Sequence, residues 1–221
     1  MNAKSETSTL IEYLTDDLAP VKLHHHAFMR ALCWTLMSVL YVGLVYLIGG
    51  AIGAMHVRAD IFEKFHDAAF LFENILVFLI GASAAYSAAW LVTPDAGGEG
   101  RQAVHIVPPV LLCVFLLWNI VNAILQGTHG MALHITHCAP EGLIFAFVPA
   151  MIGALMIKGA ATTRPVMLAC MNVVSLGAFG YIGLRLGCPL DTVGHAFIYH
   201  SAPFILMGIA FSALARCIFR W

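Results

Sequence analysis

Charged side chains are scarce in this sequence. Only 10% of its 221 residues are Asp, Glu, Lys or Arg, whereas 61% are hydrophobic. A water-soluble domain carries about 25% charged residues, so this chain has too little polar surface to cover a globule in water. The formal net charge of −1 also provides no basic surface for nucleic acid. The composition excludes a soluble enzyme and predicts a chain surrounded by membrane lipid.

Two further features are missing. The sequence has no C-x-x-C motif, which a thiol oxidoreductase is expected to carry. The first 30 residues contain no apolar core long enough for a cleavable signal peptide. They hold instead the charged residues Lys4, Glu6, Glu12, Asp16, Asp17, Lys22 and Arg30. We therefore expect this polar segment to stay on one side of the membrane.

Long apolar runs fill the rest of the chain. They cover residues 31–54, 70–92, 106–125, 142–157, 166–184 and 196–215. A membrane-spanning helix needs about 20 apolar residues, which the fourth run does not reach, and that run also contains Pro149. The pattern predicts an all-α, polytopic membrane protein with a bundle of six transmembrane helices in residues 31–221, preceded by a separate N-terminal segment, 1–30.

The positions of Lys and Arg predict the orientation of the bundle. With six spans, 8 of the 11 basic residues fall on the side that holds both chain ends. Basic residues are enriched on the cytoplasmic side of membrane proteins. Both termini are therefore predicted to be cytoplasmic, in a bacterial inner membrane.

Small residues recur within the predicted spans. Gly49 and Gly53 form a G-x-x-x-G motif, and Gly177, Gly180 and Gly183 follow one another at every third position. Small residues allow helix backbones to approach closely in lipid. Packing within the chain is the favoured interpretation, and a homodimer interface is the alternative.

The predicted external face concentrates histidine and cysteine. It holds His56, His66, His129, His134, His137, His195, His200, Cys138 and Cys188. The two cysteines lie in short loops, each followed by proline within two residues. They could form a disulfide, or bind a soft metal together with His134 and His137. A purely structural disulfide and two unpaired buried thiols remain alternatives, and His129 and His195 are expected to be solvated or packed.

The N-terminal segment has the pattern of a short amphipathic helix. Thr9 and Glu12 have the spacing of a capping box, apolar residues follow at helical intervals, and Pro20 ends the run. A helix of about ten residues is marginal on its own in water, so it could fold into the groove of a partner. A solvated tail and a helix on the membrane surface are the alternatives.

Several of these features together resemble the NrsF family, the negative regulators of sigma F. The sequence Leu-Thr-Asp-Asp-Leu-Ala-Pro-Val at 14–21 followed by Arg30 is similar to the cytoplasmic start of that family. The six-span layout, Cys138 and Cys188 with prolines close behind, and the final Arg220-Trp221 also match. The three consecutive histidines at 24–26 depart from the pattern.

The resemblance implies an integral-membrane anti-sigma factor and no enzyme. Its cytoplasmic segment would bind an extracytoplasmic-function (ECF) sigma factor through Asp16, Asp17, Leu18, Pro20 and Val21. Cys138 and Cys188 would sense heavy metal or oxidant on the other side. No resident cofactor is implied beyond transient binding of a soft metal, for which the tentative ligands are His134, His137, Cys138 and Cys188.

Two other classes of protein compete with this interpretation. A membrane redox or haem protein would need histidines within facing spans, and His200 is the best candidate. A small transporter would need polar groups at mid-membrane, for which Asn119, Asn122 and Asn172 are available.

Overall fold

The chain folds into helices throughout the part that the structure describes. The computed structural model describes residues 26–92, 99–130, 138–157 and 162–218, and these contain no β-strand. The helices are α1 (Ala27–Ala51), α2 (Ile61–Lys64), α3 (Ala68–Leu91), α4 (Glu99–Gly130), α5 (Cys138–Ile157), α6 (Pro165–Gly187) and α7 (Val193–His195). A π-helical segment (Ala196–Ser201) and α8 (Ala202–Ile218) complete this part of the chain. The predicted all-α class is confirmed.

Five helical stretches are long and apolar enough to cross a membrane. They are Ala27–Ala51, Ala68–Leu91, Ala103–Gly127, Pro165–Gly187 and Val193–Ala215. The apolar part of α5, Pro140–Leu155, is shorter than these. The chain is thus suited to a membrane, while the sixth span and the cytoplasmic position of both termini remain predictions.

Local chemistry explains where the helices begin and end. The Asp67 carboxylate caps α3 by accepting a hydrogen bond from the backbone N–H of Ala69 at 2.9 Å. Pro165 occupies the first turn of α6, where no intrahelical N–H bond is lost. Beyond α1 the chain turns at Gly53, whose φ of +70° favours glycine.

Helix α6 is the centre of the bundle. It packs against α3, α5 and α8. In its apolar stretch of 18 residues, 67% of the residues are buried, compared with 11–39% in the corresponding stretches of the other four long spans. Its glycines allow this close packing: Gly177 and Gly180 face the Phe204 ring of α8, and Gly183 faces Phe145 of α5. These three glycines therefore pack within the chain, as the favoured interpretation holds.

Polar side chains fasten α1 to α5. Trp34 donates its indole N–H to the backbone carbonyl of Pro149 (3.3 Å), and the Tyr41 hydroxyl donates to the carbonyl of Ile144 (2.7 Å). Such bonds between helices help to hold a bundle together in lipid, where apolar burial provides no drive for helix association. These two bonds therefore join α5 to α1.

Candidate functional site

Three separate parts of the chain meet at one end of the bundle. Cys138 is the first residue of α5, and Cys188 directly follows the last residue of α6. His195 ends α7, and His200 lies in the π-helical segment that follows. We call these four residues the thiol–imidazole cluster.

The side chains of the thiol–imidazole cluster lie within contact distance of one another. The two Sγ atoms are 3.5 Å apart, and Sγ of Cys188 is 3.4 Å from Nε2 of His195. One potential ligand atom from each of the four residues lies within 4.8 Å of the other three. Both cysteines are 6% exposed and both histidines are 0% exposed. The cluster is therefore compact and closed to solvent.

The π-helical segment places the two imidazoles side by side. His195 and His200 are five residues apart, and at 100° per residue an α-helix would separate them by about 140°. In a π-helix, residues i and i+5 share one face, because the backbone bonds also run from i to i+5. The two ring centroids are 5.1 Å apart.

The surroundings of the cluster are mostly apolar. Val42, Phe145 and Leu184 pack around the two cysteines, and the Tyr199 ring stacks on His195 with 4.9 Å between centroids. Nδ1 of His195 makes no hydrogen bond to described residues. The His200 ring interacts with the thiol of Cys138, although neither of its nitrogens makes a hydrogen bond of ordinary geometry to described residues. A buried polar atom without a partner costs about 1–3 kcal/mol. Unpaired nitrogens at this depth therefore point to a group that the imidazoles can bind.

A charged network holds the loop that follows Cys188. Arg58 is bidentate on Asp191 (both 2.9 Å) and on Asp60 (2.6 and 2.8 Å). Lys64 Nζ and Arg185 Nη1 also pair with Asp191, at 2.8 and 2.9 Å. The backbone N–H of Arg58 donates to the carbonyl of Leu186 (2.9 Å). Together these bonds clamp residues 189–191 against the loop between α1 and α2.

The same network sets the ionisation of its members. Hydrogen bonds from Arg58 and Lys64 outweigh partial burial and hold the pKa of Asp191 well below its usual range. Hydrogen bonds from Arg58 also lower the pKa of Asp60, and those to Asp60 and Asp191 raise the pKa of Arg58. The network is thus fully charged near neutral pH.

The thiol of Cys188 has a lower pKa than an ordinary cysteine thiol. The hydrogen bond that the Cys138 thiol donates is the largest cause that lowers the pKa of Cys188, to about 7. The backbone N–H of Leu190 and the positive charges of Arg185 and Arg58 act in the same direction, against partial burial. The thiolate is the form that reacts with oxidants and binds metal, so Cys188 is prepared for both reactions.

Comparison with known families decides the identity of the chain. The family model described as "Negative regulator of sigma F", NrsF, matches residues 14–221. The chain belongs to the NrsF family. No curated protein and no solved structure matches it. As a member of the NrsF family it is a negative regulator of a sigma factor, an anti-sigma factor, and such regulators are not normally enzymes.

The match to NrsF covers all of the predicted site residues. The predicted sigma-binding residues Asp16, Asp17, Leu18, Pro20 and Val21 lie outside the described residues, as do the tentative metal ligands His134 and His137. Cys138 and Cys188, by contrast, are brought together. Sensing by this pair remains a prediction.

Two residues of the cluster were not among the predicted ligands. His195, expected to be solvated or packed, is fully buried beside Cys188, and His200 was considered only as a haem ligand. Their spacing, H-x4-H, falls within the H-x3–5-H range of zinc sites, but no C-x-x-C motif accompanies it in the sequence. The other available signal is that both histidines closely follow Cys188 at the start of an apolar run.

Proposed function

We propose that the chain holds an ECF sigma factor at the bacterial inner membrane through residues 1–30 and releases it when Cys138 and Cys188 react with a heavy metal or an oxidant. Membership of the NrsF family supports the sigma-factor part. The observation that supports the sensing part is the Sγ–Sγ distance of 3.5 Å within a buried, metal-competent cluster.

The chemistry at the two thiols is simple in either case. With a hydroperoxide as the two-electron oxidant, the Cys188 thiolate attacks one peroxide oxygen, the O–O bond breaks, and the other oxygen leaves as water or an alcohol, which gives a sulfenic acid on Cys188. The sulfur of Cys138 then attacks the sulfur of Cys188, and the sulfenic oxygen leaves as water. Two protons and two electrons leave the thiols and one S–S bond forms. The sulfurs would have to approach from 3.5 Å to about 2.05 Å. With a divalent metal, both thiols lose their protons and become ligands.

A route from the thiols to residues 1–30 passes through α5 and α1. Cys138 begins α5, and α5 is fastened to α1 by Trp34 and Tyr41. Helix α1 begins at Ala27, within the last four residues of the predicted sigma-binding segment, 1–30. A shift of α5 relative to α6 at the cysteines would therefore act on α1. Changing a partner from almost fully bound to almost fully free needs about 5.5 kcal/mol of differential stabilisation.

The rival functions have less support. A haem ligated by two histidines needs them on opposite faces of the ring, whereas His195 and His200 lie side by side on one segment. The side-chain amides of Asn119 and Asn122 donate to carbonyls of their own helix, at Phe115 and Trp118. They are satisfied locally and need no transported substrate.

A mild-detergent pull-down of the full-length protein from its native membranes tests the proposal. We expect mass spectrometry to find a sigma factor that is lost when residues 1–30 are deleted. Heavy metal or oxidant should release it from the wild type and from a Cys113→Ser control, whose cysteine is exposed on the bundle surface. Cys138→Ser and Cys188→Ser should retain it. Normal release from both of these variants would reject thiol sensing, and absence of any sigma factor would reject sequestration.

A further inference from the structure

We infer that Cys138, Cys188, His195 and His200 are the four ligands of a closed tetrahedral site for a divalent ion with a filled d shell, such as Zn²⁺ or Cd²⁺. The inference deepens the proposed function and rests on it for its biological meaning. It differs from the ligand set expected from the sequence, because His195 and His200 take the place of His134 and His137.

The distances within the cluster fit a tetrahedral ion. Zinc binds sulfur at about 2.3 Å and imidazole nitrogen at about 2.0–2.1 Å. At a tetrahedral centre these bond lengths place two sulfurs about 3.8 Å apart and a sulfur and a nitrogen about 3.6 Å apart. The observed separations are 3.5 Å between the sulfurs and 3.4 Å between Cys188 Sγ and His195 Nε2. The other ligand atoms lie within 4.8 Å of one another, so side-chain movements of up to about 1 Å would bring all four to the bond lengths of the ion.

The histidines provide a second and independent sign of a ligand. Both are 0% exposed, Nδ1 of His195 has no hydrogen bond to described residues, and the His200 ring is directed at the thiol of Cys138 without a hydrogen bond of ordinary geometry. Neutral imidazole is a preferred ligand of zinc-like ions. An ion at the centre of the cluster would bind one ring nitrogen of His200 and Nε2 of His195, the atom that now lies 3.4 Å from Cys188 Sγ.

The site with a bound ion would carry no net charge, which suits its apolar surroundings. A divalent cation and two thiolates sum to no net charge, so the filled site places no uncompensated charge among Val42, Phe145 and Leu184. Binding should release about two protons per ion, one from each thiol. Because all four ligands are protein side chains, the site has the character of a closed site and not of a catalytic one with an open position.

Titration of the reduced, full-length protein in detergent with Co²⁺ tests the ligand set. Tetrahedral Co²⁺ with two sulfur ligands absorbs strongly in the visible range and gives a sulfur-to-metal charge-transfer band, and Cd²⁺ should displace it. We expect these bands with a single ion per chain. Cys138→Ser and Cys188→Ser should abolish them, and His195→Phe and His200→Phe, which keep a planar ring, should weaken binding at least tenfold. His56→Phe is the matched control, since His56 is exposed at the same end of the bundle.

A crosslinking measurement separates lost ligands from lost folding. If the histidine variants still form the Cys138–Cys188 disulfide with a mild oxidant at the wild-type rate, the pair is in place and weaker Co²⁺ binding is due to the missing imidazole. Wild-type binding in both histidine variants, or loss of binding in His134→Ala or His137→Ala instead, would overturn the inference.

The result for the metal site can be separated from the result for sigma-factor binding. Absence of any Co²⁺ or Cd²⁺ binding, in protein whose sigma factor is still released by oxidant, would overturn the metal site and leave the proposed function intact. Co²⁺ binding that requires all four ligands, in protein that retains no sigma factor, would support the metal site and overturn only the proposed function.

Discussion

The ion pairs of Arg58 hold the loop after Cys188 in place and should therefore control how often the buried thiol of Cys188 becomes accessible to reagents. Arg58 joins this loop to the loop between α1 and α2 through Asp191 and Asp60, and its own side chain is 1% exposed. Replacing it by methionine, Arg58→Met, keeps an unbranched apolar stem but removes the guanidinium and with it both ion pairs. Asp191 keeps Lys64 and Arg185, so the loop is loosened and not released.

The expected size of the effect follows from burial. Removing one partner of a buried ion pair costs about 3–5 kcal/mol. The carboxylates here are 40% and 34% exposed, so water screens the interaction and about 2 kcal/mol is a better value. If opening of the loop limits reaction, 2 kcal/mol corresponds to about a 30-fold faster alkylation of Cys188, at about 1.4 kcal/mol per factor of ten.

The assay is alkylation of the reduced, chelator-treated protein, read by mass spectrometry of the peptide that carries Cys188. Arg164→Met is the control, because Arg164 is exposed at the other end of α6. Arg58 helps to lower the pKa of Cys188, so its loss should slow the chemical step. A faster reaction can therefore come only from opening. If Arg58→Met changes the alkylation rate of Cys188 by less than about threefold, the ion pairs do not hold the loop closed, because they predict a change of about 30-fold.

Three other predictions follow from the same structure. In the metal-free protein, the pH profile of Cys188 alkylation should have its midpoint near 7. Cys138→Ala removes the thiol that donates to Cys188 and should move this midpoint to higher pH. Cys138→Ser retains a hydrogen-bond donor and should move it less. Because the pKa of Asp191 is lowered by folding, its contribution to stability should be present above about pH 4, the pKa of an unfolded Asp, and lost as the pH falls further. Thermal unfolding in detergent from pH 6 to pH 3 measures this loss, and Asp191→Asn should flatten the profile. Gly180→Val should destabilise the bundle by about 1–3 kcal/mol through overlap with Phe204, and Phe204→Ala should partly restore the melting temperature.

The positions of these helices could be predicted because individual residues determine where each helix begins. The run predicted at 70–92 is α3, Ala68–Leu91, and it begins where Asp67 caps the first turn. The run predicted at 166–184 lies within α6, Pro165–Gly187, and it begins at the proline. Apolar length and flanking polar residues determine these limits locally, so the sequence alone is sufficient.

The site could be predicted only in part. Cys138 and Cys188 stood out because each lies in a short predicted external loop and is followed by proline within two residues. The contribution of His200 depends on a π-helical segment, which apolar periodicity does not reveal. The pairing of Arg58 with Asp191 joins residues 133 positions apart. Such contacts depend on how the helices pack, and a single sequence carries no direct signal for them.

The π-helical segment also limits which insertions and deletions the chain can accept. Loss of one residue between His195 and His200 would leave the apolar run long enough to cross the membrane and would improve its α-helical geometry. It would also leave only three residues between the two imidazoles and turn α8 by about 100° relative to α6. Selection on this segment should therefore act on its length more strictly than on its composition. In relatives that keep both histidines, the spacing of five should be retained while the apolar residues between them vary.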